Sequence, residues 1–171
     1  MKRTAVALTS VLLVAFAQSV LAQSAIETAL QATVTIEVNG PDGQSHGSGF
    51  VVSSDGMIIT AAHVIEGATS ATVRLQNGEE LNVEGVVTID WAKDFAIVRV
   101  AGFDLPTVPL GNADDLSVGL IAIVIGAPMD AALAGTISDG LLAADRLIAG
   151  TRTLQISAPT SPGNSGGPVL T

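Results

Sequence analysis

Residues 162–168 read Pro162-Gly163-Asn164-Ser165-Gly166-Gly167-Pro168, a serine set among neighbours too small to cover its hydroxyl. The string Gly163-Asn-Ser-Gly-Gly167 formally fits the Gly-x-Ser-x-Gly elbow that joins a strand to a helix in α/β folds, so the fold class depends on whether that fit is real. Two features count against it. The elbow needs a helix directly after the serine, and Gly166-Gly167-Pro168 starts one poorly. It also needs an acid and a histidine later in the chain, whereas six residues follow Ser165 and none is acidic or a histidine. Any base and acid that serve Ser165 therefore lie upstream.

The upstream sequence reads as strands and turns. Thr33-Val-Thr-Ile-Glu-Val38 alternates apolar and polar residues and ends at Asn39-Gly-Pro-Asp-Gly43, a cluster suited to turn dihedrals. Gly49-Phe-Val-Val-Ser53 and Met57-Ile-Ile-Thr60 flank Asp55-Gly56, and Ala71-Thr-Val-Arg-Leu75 and Leu81–Val87 flank Asn77-Gly78. Both dipeptides predict two-residue hairpin turns with positive φ at each central position. Phe95–Val100 and Leu120–Ile125 are short, β-branched runs that predict buried strands. Gly135–Ser138 and Thr153–Ile156 are weaker strand signals, and Leu141–Ile148 between them fits a strand pair or one helical turn equally well. Ser24–Gln31 admits one or two helical turns, and the proline-bearing stretch 105–111 predicts a linker.

Composition narrows the chemistry. The chain has 171 residues, 48% of them hydrophobic, with a formal charge of −9 and no cysteine. That excess of acid disfavours contact with a phosphate backbone, so no nucleic-acid partner is expected. The missing cysteines remove disulfides, thiolate metal sites and a thiol nucleophile together. Two histidines remain: His46, in the polar stretch Gln44-Ser-His-Gly47, is expected to be exposed and has no metal-ligand spacing around it, so no metal or other cofactor is expected. Lys2 and Arg3 precede an apolar run from Ala5 to Ala17 that closes on Val20-Leu-Ala22, the pattern of a cleaved export signal over residues 1–22. The competing reading is a retained anchor, for which Gln18 and Ser19 are unfavourable. Cleavage removes two basic residues and no acidic one, leaving a still more acidic product whose membrane contact is transient.

A serine hydroxyl is a weak nucleophile until a base takes its proton, and an imidazole that titrates near neutrality is the natural base. His63 lies in Thr60-Ala-Ala-His-Val-Ile65, at the end of an expected hairpin strand. The imidazole in turn needs a carboxylate to fix its tautomer and offset its cation. Asp94 directly precedes the strand Phe95–Val100, where the backbone would hold it. The chain order His63, Asp94, Ser165 is that of the chymotrypsin arrangement.

Together, Gly47-Ser-Gly-Phe-Val-Val52, Thr60-Ala-Ala-His-Val64, Asp94–Val100, Gly126-Ala-Pro128 and Pro162–Pro168 resemble the successive motifs of trypsin-like serine proteases. The compact spacing and absent cysteines are most similar to the bacterial HtrA/Deg branch. The resemblance implies an all-β fold of two antiparallel barrels, an N-terminal one over residues 23–104 and a C-terminal one over 112–171, joined by the linker 105–111. It implies a catalytic triad of His63, Asp94 and Ser165 in the cleft between them, and an oxyanion hole from the backbone N–H groups of Gly163 and Ser165. Ser157, Ala158, Pro159, Thr160 and Ser161 would form one wall of the pocket before the cut. They carry no acid, so small or medium apolar side chains are expected there. The function so implied is an exported, periplasmic or extracellular, serine endopeptidase acting on polypeptides, with a place in protein quality control and trimers as the branch's frequent assembly. The family pattern continues with strands beyond the nucleophile while this sequence stops at Thr171, so the second barrel is expected to be unfinished. The sequence then reads as a fragment of a longer protein or as a degraded protease. The alternative function is a non-catalytic peptide-binding module on the same scaffold.

Overall fold

The computed structural model describes residues 23–41, 43–127 and 135–171. The export segment expected over residues 1–22 lies outside them, as do Asp42 and Pro128. A helix over residues 23–32 leads into an otherwise all-β fold, with Ala29 and Ala32 buried and the Thr33 hydroxyl donating to the Ala29 carbonyl at 2.7 Å.

Six strands close a barrel in the order β1-β2-β3-β6-β5-β4: β1 (Thr33–Gly40), β2 (Gly43–Ser53), β3 (Met57–Thr60), β4 (Ser70–Arg74), β5 (Glu80–Asp90) and β6 (Phe95–Val100). All pairings are antiparallel. The alternation seen in the sequence is what fills the interior: Val34, Ile36, Val51, Ile58, Val73, Val98 and Val100 are fully buried while their strand neighbours, the buried Thr33 apart, are more exposed. Closure leaves no free edge.

The turn chemistry departs from expectation. At Asp55-Gly56 and Asn77-Gly78 only the glycines have positive φ, +104° and +84°. Each loop is one residue longer than a two-residue turn: the Gly56 N–H donates to the Ser53 carbonyl, and the Gly78 N–H to the Leu75 carbonyl, so Asp55 and Asn77 stay right-handed and only the last loop residue turns over. The Asn77 side chain instead accepts from the Glu79 N–H at 2.9 Å. His46 also differs from its expected exposure. It sits within β2 opposite Glu37, is half-buried, and its Nε2 is buried without a partner among the described residues.

After β6 the chain runs without regular structure but stays bound to the barrel through Leu105 N–H to Ser54 (3.2 Å) and Val108 N–H to Val51 (2.9 Å). A short turn, Ala113–Asp115, then leads to a second, open sheet in the order β10-β7-β8-β9: β7 (Ile121–Gly126), β8 (Thr136–Ile148), β9 (Thr151–Ile156) and β10 (Val169–Leu170). The stretch Leu141–Ile148 is neither a strand pair nor a helical turn. It is the second half of one thirteen-residue strand whose first half pairs with β7 and whose second half pairs with β9, across an irregularity at Leu142/Ala144. The concave face of this sheet carries Ala122, Leu142, Leu154 and Ile156, which line an open groove of about 590 Å³.

Candidate active site

The geometry is built up from Asp94. Residues 90–94 form a tight turn in which the Asp90 carboxylate accepts from the N–H groups of Ala92 (3.1 Å) and Lys93 (3.2 Å). Asp94 closes the turn with φ of +52°, a conformation Asp tolerates better than most side chains. There its carboxylate receives two hydrogen bonds from one residue: the His63 backbone N–H at 2.9 Å and the His63 ring at Nδ1, 2.6 Å from Oδ2.

Burial pushes the Asp94 carboxyl up, but the His63 amide, the His63 ring and its charge together outweigh it and hold the carboxyl below its ordinary range. An ionised carboxylate only accepts, so Nδ1 must carry the hydrogen. With the ring neutral, Nε2 is then a free acceptor, which is the tautomer a general base needs. Both side chains are half-exposed, at 51% each. His63 lies in the 3-10 turn Ala62–Ile65, whose Ala62, Val64 and Ile65 are buried on top of the barrel, so the one polar residue of the turn faces out.

Ser165 comes from the loop before β10 and is docked on the first barrel by its backbone, its carbonyl accepting from the Ser48 N–H at 2.8 Å. Its neighbour Gly166, with φ of +86°, sits so close to the base-bearing segment that a Cβ there would lie 2.8 Å from the Ala61 nitrogen and 2.5 Å from the Thr60 hydroxyl. Likewise a Cβ on Gly47 would meet both the Val64 side chain and, at 3.2 Å, the Ser165 carbonyl. The nucleophile loop and the segment 60–64 are therefore in direct apposition. Ser165 is exposed and its hydroxyl makes no hydrogen bond among the described residues, so the structure pairs His63 with Asp94 and brings the Ser165 loop against the segment that carries His63, with no bond from Ser165 to the pair. Catalytic hydrogen bonds of this kind are often long before substrate binds.

No described residue accepts from the N–H of Gly163 or of Ser165. The expected pocket wall packs along β8: the Ser157 hydroxyl accepts from the Leu141 N–H at 2.9 Å, and the Pro159 carbonyl from the Ser138 hydroxyl at 2.7 Å. Ala158 is buried and the other four of these residues are exposed. Among the described residues, no group of three or more His, Cys, Asp or Glu is arranged to hold a metal ion.

Residues 47–171 match the model of the trypsin-like peptidase domain. The chain belongs to that family. Within it, this trypsin-like peptidase chain is of the HtrA branch. It is 40% identical over 141 residues to a putative serine protease HhoB of Synechocystis, and 39% identical over 136 residues to a probable periplasmic serine endoprotease, DegP-like, of Halomonas elongata. These matches take in 76% and 74% of this chain but only 32% and 27% of the relatives, so it spans about a third of their length. Among solved structures, the HtrA-type protease AlgW with a tripeptide superimposes with a TM-score of 0.78 at 28% identity, over 85% of this chain and 49% of that one. A serine endoprotease from Yersinia pestis gives 0.76 at 28% identity, over 86% of this chain and 52% of that one. The trypsin-like fold expected from the sequence is thus found, with one closed barrel and one open sheet in the described residues.

One local feature of the second sheet escaped the sequence reading. Ala149-Gly150, with φ of +49° and +84°, makes the two-residue turn between β8 and β9. The glycine was a usable signal, but alanine at the first position is not a residue that normally announces such a turn.

Proposed function

We propose that this chain carries the catalytic apparatus of an exported serine endopeptidase that cleaves polypeptides by acyl transfer. The observation that carries the reading is the Nδ1-to-Oδ2 contact of 2.6 Å between His63 and Asp94, which leaves Nε2 free on the residue next to the docked Ser165 loop. In the proposed reaction Ser165 Oγ attacks the scissile carbonyl carbon while His63 Nε2 takes its proton. The carbonyl oxygen becomes an oxyanion held by the N–H groups of Gly163 and Ser165. Collapse of that intermediate breaks the C–N bond, and Nε2 returns the proton to the departing amine. Water, deprotonated by the same nitrogen, then releases the acyl group and restores the hydroxyl. Asp94 stays ionised throughout and offsets the imidazolium.

Ser157, Ala158, Pro159, Thr160 and Ser161 form one wall of the substrate pocket in this reading, and their lack of charge favours small or medium apolar side chains before the cut. Residues 23–104 and 112–171 act as the two halves of the site, with 105–111 joining them. The Halomonas elongata relative is named a periplasmic endoprotease, which supports export. The decisive experiment is labelling by a fluorophosphonate probe with casein hydrolysis as the second readout. Native chain is expected to label and cleave, and Ser165→Ala to do neither while its circular dichroism is unchanged. Undiminished cleavage by Ser165→Ala overturns the assignment, and a folded native chain that binds peptides but never labels points to the non-catalytic binding module.

A further inference from the structure

Ser48 belongs to the motif Gly47-Ser-Gly-Phe50 on β2, in the first barrel, and is fully buried. A buried hydroxyl needs partners, and this one has two, both in the second half of the molecule. It donates to the Gly163 carbonyl at 2.6 Å and accepts from the Ala127 N–H, just past β7, at 2.8 Å. Its backbone N–H donates to the Ser165 carbonyl at 2.8 Å, and its own carbonyl accepts from the Thr60 hydroxyl at 2.7 Å. Every polar group of Ser48 is therefore spent on joining the nucleophile loop, the end of β7 and the strand that leads to His63.

The consequence follows from peptide planarity. Fixing a carbonyl fixes the N–H of the same peptide on the opposite side. In the loop, the peptide linking residues 163 and 164 is held by the Ser48 hydroxyl at its carbonyl and by the Ser161 carbonyl at its N–H (3.0 Å). The next, linking 164 and 165, is held by the Gly167 N–H on the Asn164 carbonyl (3.0 Å), and the third, linking 165 and 166, by the Ser48 N–H. Of the three carbonyls so held, two are bound by Ser48, one through its hydroxyl and one through its backbone N–H. Ser48 thus holds the peptides on either side of the one that carries the Ser165 N–H, that N–H lies opposite the Asn164 carbonyl bound by Gly167, and no described residue accepts from it.

We infer that Ser48 is a positioning residue of the oxyanion hole: it acts through the 163–166 backbone, presetting the donor geometry before substrate arrives. This rests on the protease reading above. Preset donors matter because they cost no reorganisation when charge develops. Loss of the clamp would then act on the transition state and leave substrate binding alone.

The test uses the full chain with Ser48→Ala, Ser48→Cys, which keeps a similar volume but donates weakly, and Ser48→Thr, which keeps the hydroxyl. Measured on a chromogenic peptide, Ser48→Ala and Ser48→Cys are expected to lower kcat at least tenfold with KM within about twofold of native, and Ser48→Thr to recover most of the loss. Inhibition by a peptide aldehyde, whose adduct carries an oxyanion, should weaken by the same factor as kcat. If Ser48→Ala does not fold, Ser48→Cys carries the comparison. A native chain that neither labels with fluorophosphonate nor cleaves overturns the protease reading and this inference with it. Normal labelling and cleavage by native chain, with folded Ser48→Cys at native kcat or impaired in KM alone, overturns this inference only.

Discussion

Asp94→Asn isolates the carboxylate's role with little disturbance to the fold. Asp94 sits at φ of +52°, where asparagine is as well tolerated as aspartate, whereas alanine would add backbone strain. The two hydrogen bonds from His63 set the expected effect. The amide oxygen can still accept from the His63 backbone N–H now 2.9 Å from Oδ1, but the NH2 group then faces Nδ1 at the position of Oδ2. That group only donates, so Nδ1 must become the acceptor and the ring hydrogen must move to Nε2. The base is then blocked by its own proton. In a well-studied protease triad the same exchange of tautomer lowers kcat by about 10⁴, which is about 5.4 kcal/mol of transition-state stabilisation at 1.36 kcal/mol per decade. The Asp94 side chain is half-exposed, so its contribution to stability should be below about 1 kcal/mol and the melting curve nearly unchanged. The assay is kcat/KM on a chromogenic peptide at neutral pH, beside a thermal melt of the same sample. A folded Asp94→Asn within tenfold of native activity would refute the tautomer argument.

Two further outcomes follow from the same contacts. Gly166→Ala places a side chain at φ of +86° and against the Thr60 hydroxyl and Ala61 nitrogen. The conformation alone costs about 1–2 kcal/mol and the overpacking about 1–3 more, so a urea midpoint should fall clearly and fluorophosphonate labelling should slow as the loop moves off the barrel. On acidification, Asp94 has the opposite sign to a group with a raised pKa. Because its folded carboxyl is held below its ordinary value of about 3.9, its stabilisation is complete above that pH and fades as pH drops through the folded value. The stability gap between native chain and Asp94→Asn should therefore be present at pH 5 and shrink below pH 4 in urea titrations; a gap that fails to shrink as pH falls from 4 to 2 would contradict the assignment of the contact.

The first barrel was legible because its strands alternate and its turns carry glycine: the burial of Val34, Ile36, Val73 and Val98 follows directly from period two. The second sheet was less so. β8 changes partner midway, and a strand whose two halves face different neighbours shows no single alternation, so Thr136–Ile148 looked like separate pieces. Asp55 and Asn77 misled in a smaller way, since the extra loop residue that keeps them right-handed is set by strand register and not by the dipeptide. The pairing of His63 with Asp94 was inferred from chain order, and the contact is present. The bonds of Ser48 had no local signal at all, because its partners Ala127 and Gly163 lie 79 and 115 residues away.

That contrast explains why the nucleophile motif is rich in glycine and its anchor is a lone serine. The loop is held against the first barrel by backbone groups, and backbones approach this closely only where side chains are missing. At Gly166 a Cβ would strike Ala61, and at Gly47 it would strike Val64 and crowd the Ser165 carbonyl. Those close approaches write themselves into the sequence as Gly-Asn-Ser-Gly-Gly and Gly-Ser-Gly, which is why the motifs can be read at all. The bonds they permit are then made by main-chain N–H and carbonyl groups that every residue possesses, with the Ser48 hydroxyl as the side-chain exception. The placing of the Ser165 loop against the segment that carries His63 is thus a property of how two backbones dock. Substitutions that add atoms at this seam should be more damaging than substitutions that change charge near it.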